Sequence, residues 1–302
     1  MVKVISIAGA GRSGSTILDN VLGGVPGAFS AGEVRYLWQR GLVEKRLCGC
    51  SKPLPDCELW PLILHRAFPD GIDPQATAAL LHHVRTRFTP AARIRPLHGW
   101  YNKKLEPLIG VLDKLYPAIA AETGARFIVD SSKLPTYTYV LSLVPSIDLR
   151  IVHLVRDPRA VAHSWGRPKA QLDTAEARPM TPTGPLRSAV DWNVWNTTIR
   201  ALFADAADGY VLLRYEDLVS DPVTSVRRIL AMAGEPDAST SHLDGSTVEL
   251  AGNHTVSGNP GRFQTGTVHL KLDEAWRRDM PDSNRKTVER VTAPFRRSFG
   301  YE

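Results

Sequence analysis

The octapeptide Gly9-Ala10-Gly11-Arg12-Ser13-Gly14-Ser15-Thr16 has the residue types that can hold an anion. It lies between the apolar run Val2 to Ala8 and the helix-like Thr16 to Gly23, so it reads as strand, glycine-rich turn and helix. Glycines let the chain fold tightly enough for successive N–H groups to point inward, and the helix that follows aims its positive end at the same spot. A phosphate fits that cradle, on Ser13, Gly14, Ser15 and Thr16. A second candidate lies at Leu149 to Trp165. A strand runs to Val155, Arg156 emerges at its end, Asp157 caps a helix with Pro158 at its first position, and Ser164 follows about two turns on. Arg156 and Ser164 can bracket a dianion.

Against the nucleoside triphosphatase pattern G-x-x-x-x-G-K-[ST], Gly9, Gly14 and Thr16 match, and Ser15 stands where the lysine belongs. That lysine reaches the β- and γ-phosphates, so its absence points to a ligand with no γ-phosphate. The nearest cation is Arg12, whose fork of donors can lie over an oxyanion group carried on one phosphate. A plain glycine-rich turn is the alternative for the octapeptide alone.

Arg12-Ser13-Gly14-Ser15-Thr16 resembles the R-S-G-[ST]-[ST] loop of sulfotransferases that use 3′-phosphoadenosine 5′-phosphosulfate (PAPS), in their carbohydrate and bacterial branches. The strand, the R-D-P-R turn and the helix-borne serine resemble the same family's 3′-phosphate motif. A helix-capping turn without a ligand is the competing account of that second motif. The resemblance implies that Ser13 to Thr16 hold the 5′-phosphate and that Arg156 and Ser164 hold the 3′-phosphate. It also implies that His254 to Phe263 is the closing nucleotide loop, with backbone near Gly261 and the charge of Arg262 at the 3′-phosphate. Tyr215-Glu216-Asp217-Leu218 matches a scaffold segment of the family.

The catalytic assignments follow from the same resemblance. An acceptor hydroxyl must lose its proton as it attacks sulfur, and Glu33 matches the family's base. A solvated acid at a helix N-terminus is the other reading of Glu33. Lys133, at the end of the strand-like Phe127 to Val129, matches a lysine beside the transferred group. Phe127-Ile128-Val129-Asp130 also fits a magnesium-organising strand, but the missing loop lysine favours Lys133. Arg12 and Lys133 then meet the leaving-group charge. No metal is required by this scheme. The implied donor is PAPS, its product adenosine 3′,5′-bisphosphate, and the acceptor a hydroxyl of a glycan, glycolipid or small molecule. A P-loop nucleotide kinase and a non-catalytic nucleotide-binding protein are the rival classes.

These residues need a scaffold. Val2 to Ala8 is nearly continuous in apolar residues, as a central parallel strand covered on both faces would be. Phe127 to Lys133 and Leu149 to Val155 repeat the strand pattern, and Tyr210 to Arg214 adds a short one. Ligands bind at the carboxyl ends of such strands, which would bring Lys133 to the crevice of Arg12. Helical spacing covers Pro74 to Phe88, Lys103 to Thr123, Leu186 to Ala207, Leu270 to Arg278 and Ser283 to Phe299. Thr89 to Gly99 reads as a loop, and Gly166 to Pro185 as a loop able to cover the acceptor. Trp192, Asn193, Trp195 and Asn196 suit either a sugar pocket or core packing. The expected fold is α/β: one three-layer P-loop-like domain over residues 1–302 with a central parallel sheet between helices. Inserts are expected at about 48–89 and 166–185.

With 302 residues, 43% apolar and 23% charged, the composition is that of a globular chain and excludes a disordered one. A net charge of +6 suits a polyanionic nucleotide. No block of lysine and arginine is long enough to make a nucleic-acid stripe. No run approaches the roughly 18 apolar residues of a membrane span, and no leader pattern opens the chain, so the expected location is cytoplasmic. Cys48, Cys50 and Cys57 crowd one short loop. With His65 nearby they make a weak zinc signature, and buried, reduced thiols in a structural loop are the preferred reading.

Overall fold

The computed structural model describes residues 1–89, 92, 95–168, 170–174, 178–179, 181–206 and 209–302. Strand β1 (Val2–Ala8) is flanked by β3 (Phe127–Lys133) and β4 (Ile147–Val155). With β2 (Ala28–Gly32) at one edge and β7 (Tyr210–Arg214) at the other, the order is β2-β3-β1-β4-β7, all parallel. The two-residue strands β5 (Ala170–Gln171) and β6 (Arg178–Pro179) pair with each other. A separate antiparallel sheet joins β8 (Leu243–Asp244), β9 (Thr247–Leu250) and β10 (Gly266–His269).

The period of two along β1 sorts its side chains between two cores. Val4 and Ala8 join the apolar cluster that contains Leu105, Leu108, Leu112 and Leu115 of one long helix, while Ile5 and Ile7 pack with Leu18, Val21 and Leu22 on the other face. Burial on both faces from Val4 to Ala8 explains why the strand reads as a nearly continuous apolar run. The result is the expected three-layer P-loop-like α/β fold.

The helices run in order: α1 (Ser15–Gly23), α2 (Trp60–Ala67), α3 (Pro74–Leu80), α4 (Arg95–Thr123), α5 (Pro135–Leu141) and α6 (Pro158–Gly166). There follow α7 (Pro185–Phe203), α8 (Tyr215–Ser220), α9 (Pro222–Met232), α10 (Ala275–Asp279) and α11 (Asp282–Arg296). Two expectations are corrected at their boundaries. Helix α4 begins at Arg95 instead of Lys103, because Pro96 sits in the first turn, where a missing N–H costs nothing. Residues Leu270 to Glu274 are not helical: Leu270 N–H donates to Ser246 O at 2.7 Å, and Asp273 Oδ1 accepts the Ala275 N–H at 3.2 Å, which delays the turn. Parts of the 89–99 and 166–185 segments lie outside the described residues. The described Asp173 is buried and accepts the Leu47 N–H at 3.1 Å.

Candidate active site

Each strand of the main sheet ends beside one cavity of about 550 Å3. Its walls include Gly11, Arg12, Gly14, Ser15 and Thr16 after β1, and Glu33 after β2. Lys133 at the end of β3, Arg156 after β4 and Tyr215 after β7 complete the set, and Ser164 enters from α6. Parallel strands with right-handed helical crossovers leave a crevice at their carboxyl ends, and that is where these residues meet.

Gly14, with φ 90°, precedes the first turn of α1. A Cβ there would run into the Tyr215 ring, so glycine is required twice over, by conformation and by close approach. Arg12 (φ 67°) and Lys133 (φ 66°) occupy the left-handed region without being glycine. Such residues cost on the order of 1–3 kcal/mol each and persist where the surroundings hold them. The Arg12 guanidinium stands 4.7 Å from the centre of the Trp165 ring, and burial holds its pKa below the usual value against the opposing pull of Glu33. Ser13 is buried just behind the loop, and its hydroxyl has no hydrogen-bond partner among the described residues.

Glu33 is buried, and its carboxylate is paired with the Lys133 ammonium. Its N–H donates to Val256 O at 2.7 Å, which fixes the turn out of β2. It caps no helix with its side chain, so a solvated acid at a helix start does not describe it. Asp130 points away from the cavity: its carboxylate accepts from the Tyr116 hydroxyl and from the Ser132 N–H at 2.8 Å. Burial raises its pKa to about 6. Asp19, also buried, accepts from Ser30 Oγ at 2.7 Å and Ser131 Oγ at 2.8 Å, tying α1 to β2 and β3; burial raises its pKa to about 7.

Arg156 lies over the Tyr215 ring, its Cζ 4.5 Å from the ring centre, and donates to Arg12 O at 3.3 Å, so the second motif touches the first directly. Its other donor reaches Asp273 O at 3.1 Å, with the Asp273 carboxylate at 3.4 Å. Asp157 caps α6 by accepting the Arg159 N–H at 2.8 Å, and Arg159 turns to Asp157 and Glu289, away from any ligand role. The closing loop docks on α1: Asn20 donates to Gly261 O at 3.2 Å, and the Asn259 N–H reaches Thr16 Oγ1 at 3.4 Å. Gly261 lines the cavity. Arg262 does not; it is 1% exposed, and its guanidinium donates to Thr255 O at 2.6 Å and to Leu47 O, behind the wall.

Residues 5–239 match the sulfotransferase family model. The chain belongs to the sulfotransferase family. It is 30% identical over 183 residues to carbohydrate sulfotransferase 5 of Mus musculus, and 28% identical over 178 residues to carbohydrate sulfotransferase 6 of Homo sapiens. Each match takes in 54% of this chain and 44% of the relative, so the chain spans less than half the length of these curated relatives. Two solved sulfotransferase domains share the fold. One, from the curacin biosynthetic pathway, has a TM-score of 0.54 at 17% identity, with 100% of this chain and 99% of that one covered. The other, from the Synechococcus PCC 7002 olefin synthase, has a TM-score of 0.52 at 22% identity, with 97% and 94% covered.

Several cavity residues carry no signal in the sequence. Arg35 and Arg40 flank the Tyr36 ring at 4.5 and 3.6 Å, and Arg40 donates to Ser257 Oγ at 3.0 Å. They come to the wall because the chain after Glu33 winds into a short 3-10 turn and then a π-helical turn over 37–43, a geometry with no simple hydrophobic period. Of the tryptophan and asparagine group on α7, Trp195 lines the cavity, whereas Trp192 is buried and donates to Arg156 O at 2.9 Å. Asn196 is buried against His153, and Asn193 donates to Val291 O. Among the described residues no helix is long and apolar enough to cross a membrane.

Proposed function

We propose that this sulfotransferase moves a sulfuryl group from PAPS to a hydroxyl of a glycan, glycolipid or small-molecule acceptor. One observation carries the reading: the opening loop, the Glu33–Lys133 pair and the Arg156–Ser164 pair face one cavity, with Arg156 bonded to the loop carbonyl of Arg12. The N–H groups from Ser13 to Thr16 at the start of α1 suit the 5′-phosphate, because they precede a helix N-terminus that borders the cavity. Arg156 and Ser164 take the 3′-phosphate. Backbone near Gly261 closes over it, and Arg262 supplies charge from behind while holding that loop.

In this scheme Glu33 accepts the acceptor proton as oxygen forms its bond to sulfur. The bond from sulfur to the bridging phosphate oxygen breaks, and its electron pair leaves with adenosine 3′,5′-bisphosphate. Arg12 and Lys133 face that growing charge, and losing one such preorganised partner typically costs about 3 kcal/mol in the barrier. Side chains and amides meet the charge, so transfer proceeds without magnesium. The basic, aromatic wall of Arg35, Tyr36, Arg40 and Trp195 is left for the acceptor.

Calorimetric titration with adenosine 3′,5′-bisphosphate and then with ATP, with and without magnesium, tests the donor. Tight bisphosphate binding indifferent to magnesium supports the reading; magnesium-dependent ATP binding alone would make the chain a kinase. Transfer from labelled PAPS to a cell extract separates an enzyme from a non-catalytic binder.

A further inference from the structure

Cys48, Cys50 and Cys57 meet His254, which comes from the closing loop about 200 residues on. One potential ligand atom from each residue lies within 4.8 Å of all the others. His254 Nδ1 is 3.2 Å from Cys57 Sγ and 3.9 Å from Cys48 Sγ. A tetrahedral zinc ion takes sulfur at about 2.3 Å and imidazole nitrogen at about 2.0–2.1 Å, which places neighbouring ligand atoms roughly 3.5–3.8 Å apart. The four side chains are therefore almost at ligand spacing. His65, the histidine suggested by sequence proximity, is exposed on α2.

The backbone around the cluster is built to hold it. Cys48 N–H donates to Lys52 O at 2.8 Å and Ser51 N–H to Cys48 O at 2.9 Å, a tight knuckle closed by Ser51 at φ 63°. Gly49 donates to Thr255 O at 3.0 Å, and a Cβ on it would collide with the Asn253 carboxamide. The Trp60 indole N–H donates to His254 O at 2.7 Å, which fixes the histidine's backbone. Cys57 Sγ accepts the Leu59 N–H at 3.4 Å, which orients the sulfur. Arg262 donates to Leu47 O and Thr255 O, the carbonyls next to Cys48 and His254.

We propose that Cys48, Cys50, Cys57 and His254 bind one zinc ion as a closed, structural Cys3His site. Binding releases three thiol protons to solvent, and neutral His254 ligates through Nδ1, leaving a net charge of −1 on the centre. Four protein ligands leave no open position, so the ion does no chemistry on a substrate. It ties the 47–60 loop to the segment that continues through Val256, Gly258 and Gly261 into the nucleotide wall. This inference does not rest on the donor or the acceptor, and its readouts are independent of transfer.

The test is metal content of the full chain, expressed with zinc and purified under reducing conditions without chelator. One zinc per chain is expected, with cobalt substitution giving a thiolate-to-cobalt charge-transfer band and the strong visible absorption of tetrahedral cobalt. His254→Ala removes one of the four ligands and should weaken zinc affinity by more than the roughly 10- to 100-fold that loss of an outer-shell partner commonly causes. His254→Cys should restore stoichiometric zinc with a four-thiolate cobalt spectrum, which shows that an unfolded variant is not the cause. Zinc-free folded protein with three titratable thiols overturns the proposal. So does a disulfide among the cysteines, or zinc whose affinity ignores both His254 variants.

Discussion

The opening loop brings Gly11, Arg12, Gly14, Ser15 and Thr16 to the cavity wall where the chain enters the first turn of α1, whereas the other motif brings Arg156 and Ser164. The first end depends on a backbone shape that only glycine at position 14 permits, because Tyr215 fills the space a Cβ would need. The second depends on one guanidinium held over that same Tyr215 ring and already paired with Asp273. Tyr215 thus shapes both ends from one position. A cradle of amides recognises any phosphate. On the proposed reading a placed arginine and serine recognise a particular one, which makes the second end the specific half of the grip.

Glu33 faces the same cavity from the β2 edge of the sheet, and Glu33→Gln should lower turnover by about 10²- to 10⁴-fold while leaving bisphosphate affinity nearly unchanged. Single-turnover kinetics beside calorimetry measures both, and unchanged turnover removes Glu33 from the reaction. Arg156→Ala should weaken adenosine 3′,5′-bisphosphate by about 30-fold or more, since a buried charged donor is lost, and adenosine 5′-monophosphate far less. Equal losses for the two nucleotides would show that Arg156 does not discriminate the 3′ group.

Gly14→Ala should do the converse and weaken both nucleotides alike, by about 5- to 100-fold, through strain of roughly 1–3 kcal/mol at φ 90°. A loss confined to the bisphosphate would reverse the assignment of the two ends. Asp273→Asn should tighten bisphosphate binding by about 2- to 5-fold, because the 3′-phosphate no longer competes with a half-exposed carboxylate for Arg156. Weaker binding would mean that Asp273 positions Arg156 more than it screens it.

The smallest effect is on stability against pH. Asp19 (about 7) and Asp130 (about 6) have folded pKa values raised above the usual carboxylate value of 3.8 by burial. Between about pH 4 and 7 the folded chain holds protons that the unfolded chain has released, so these two groups lower stability as pH rises across that window. Asp19→Asn should flatten that part of the denaturant-midpoint profile, and an unchanged slope would assign it to other groups.

Much of this molecule was legible in its residue order, for reasons of local physics. Largely apolar runs at Val2 to Ala8 and Leu149 to Val155 mark strands buried on both faces, and loop glycines before a helix mark the turn that borders the cavity. Asp157-Pro158 marks a helix start, and each of these signals lies within a few residues of its effect. Strand β2 was not legible, since Ala28–Gly32 has small residues and no apolar run; pairing with β3 makes it a strand. Only the tertiary structure could turn Asp130 inward to Tyr116, bring Arg35 and Arg40 to the cavity, set Arg262 behind the wall, or carry His254 across the fold to Cys57. Each of those outcomes depends on which distant segment occupies the neighbouring space, and no local pattern of residue types encodes that.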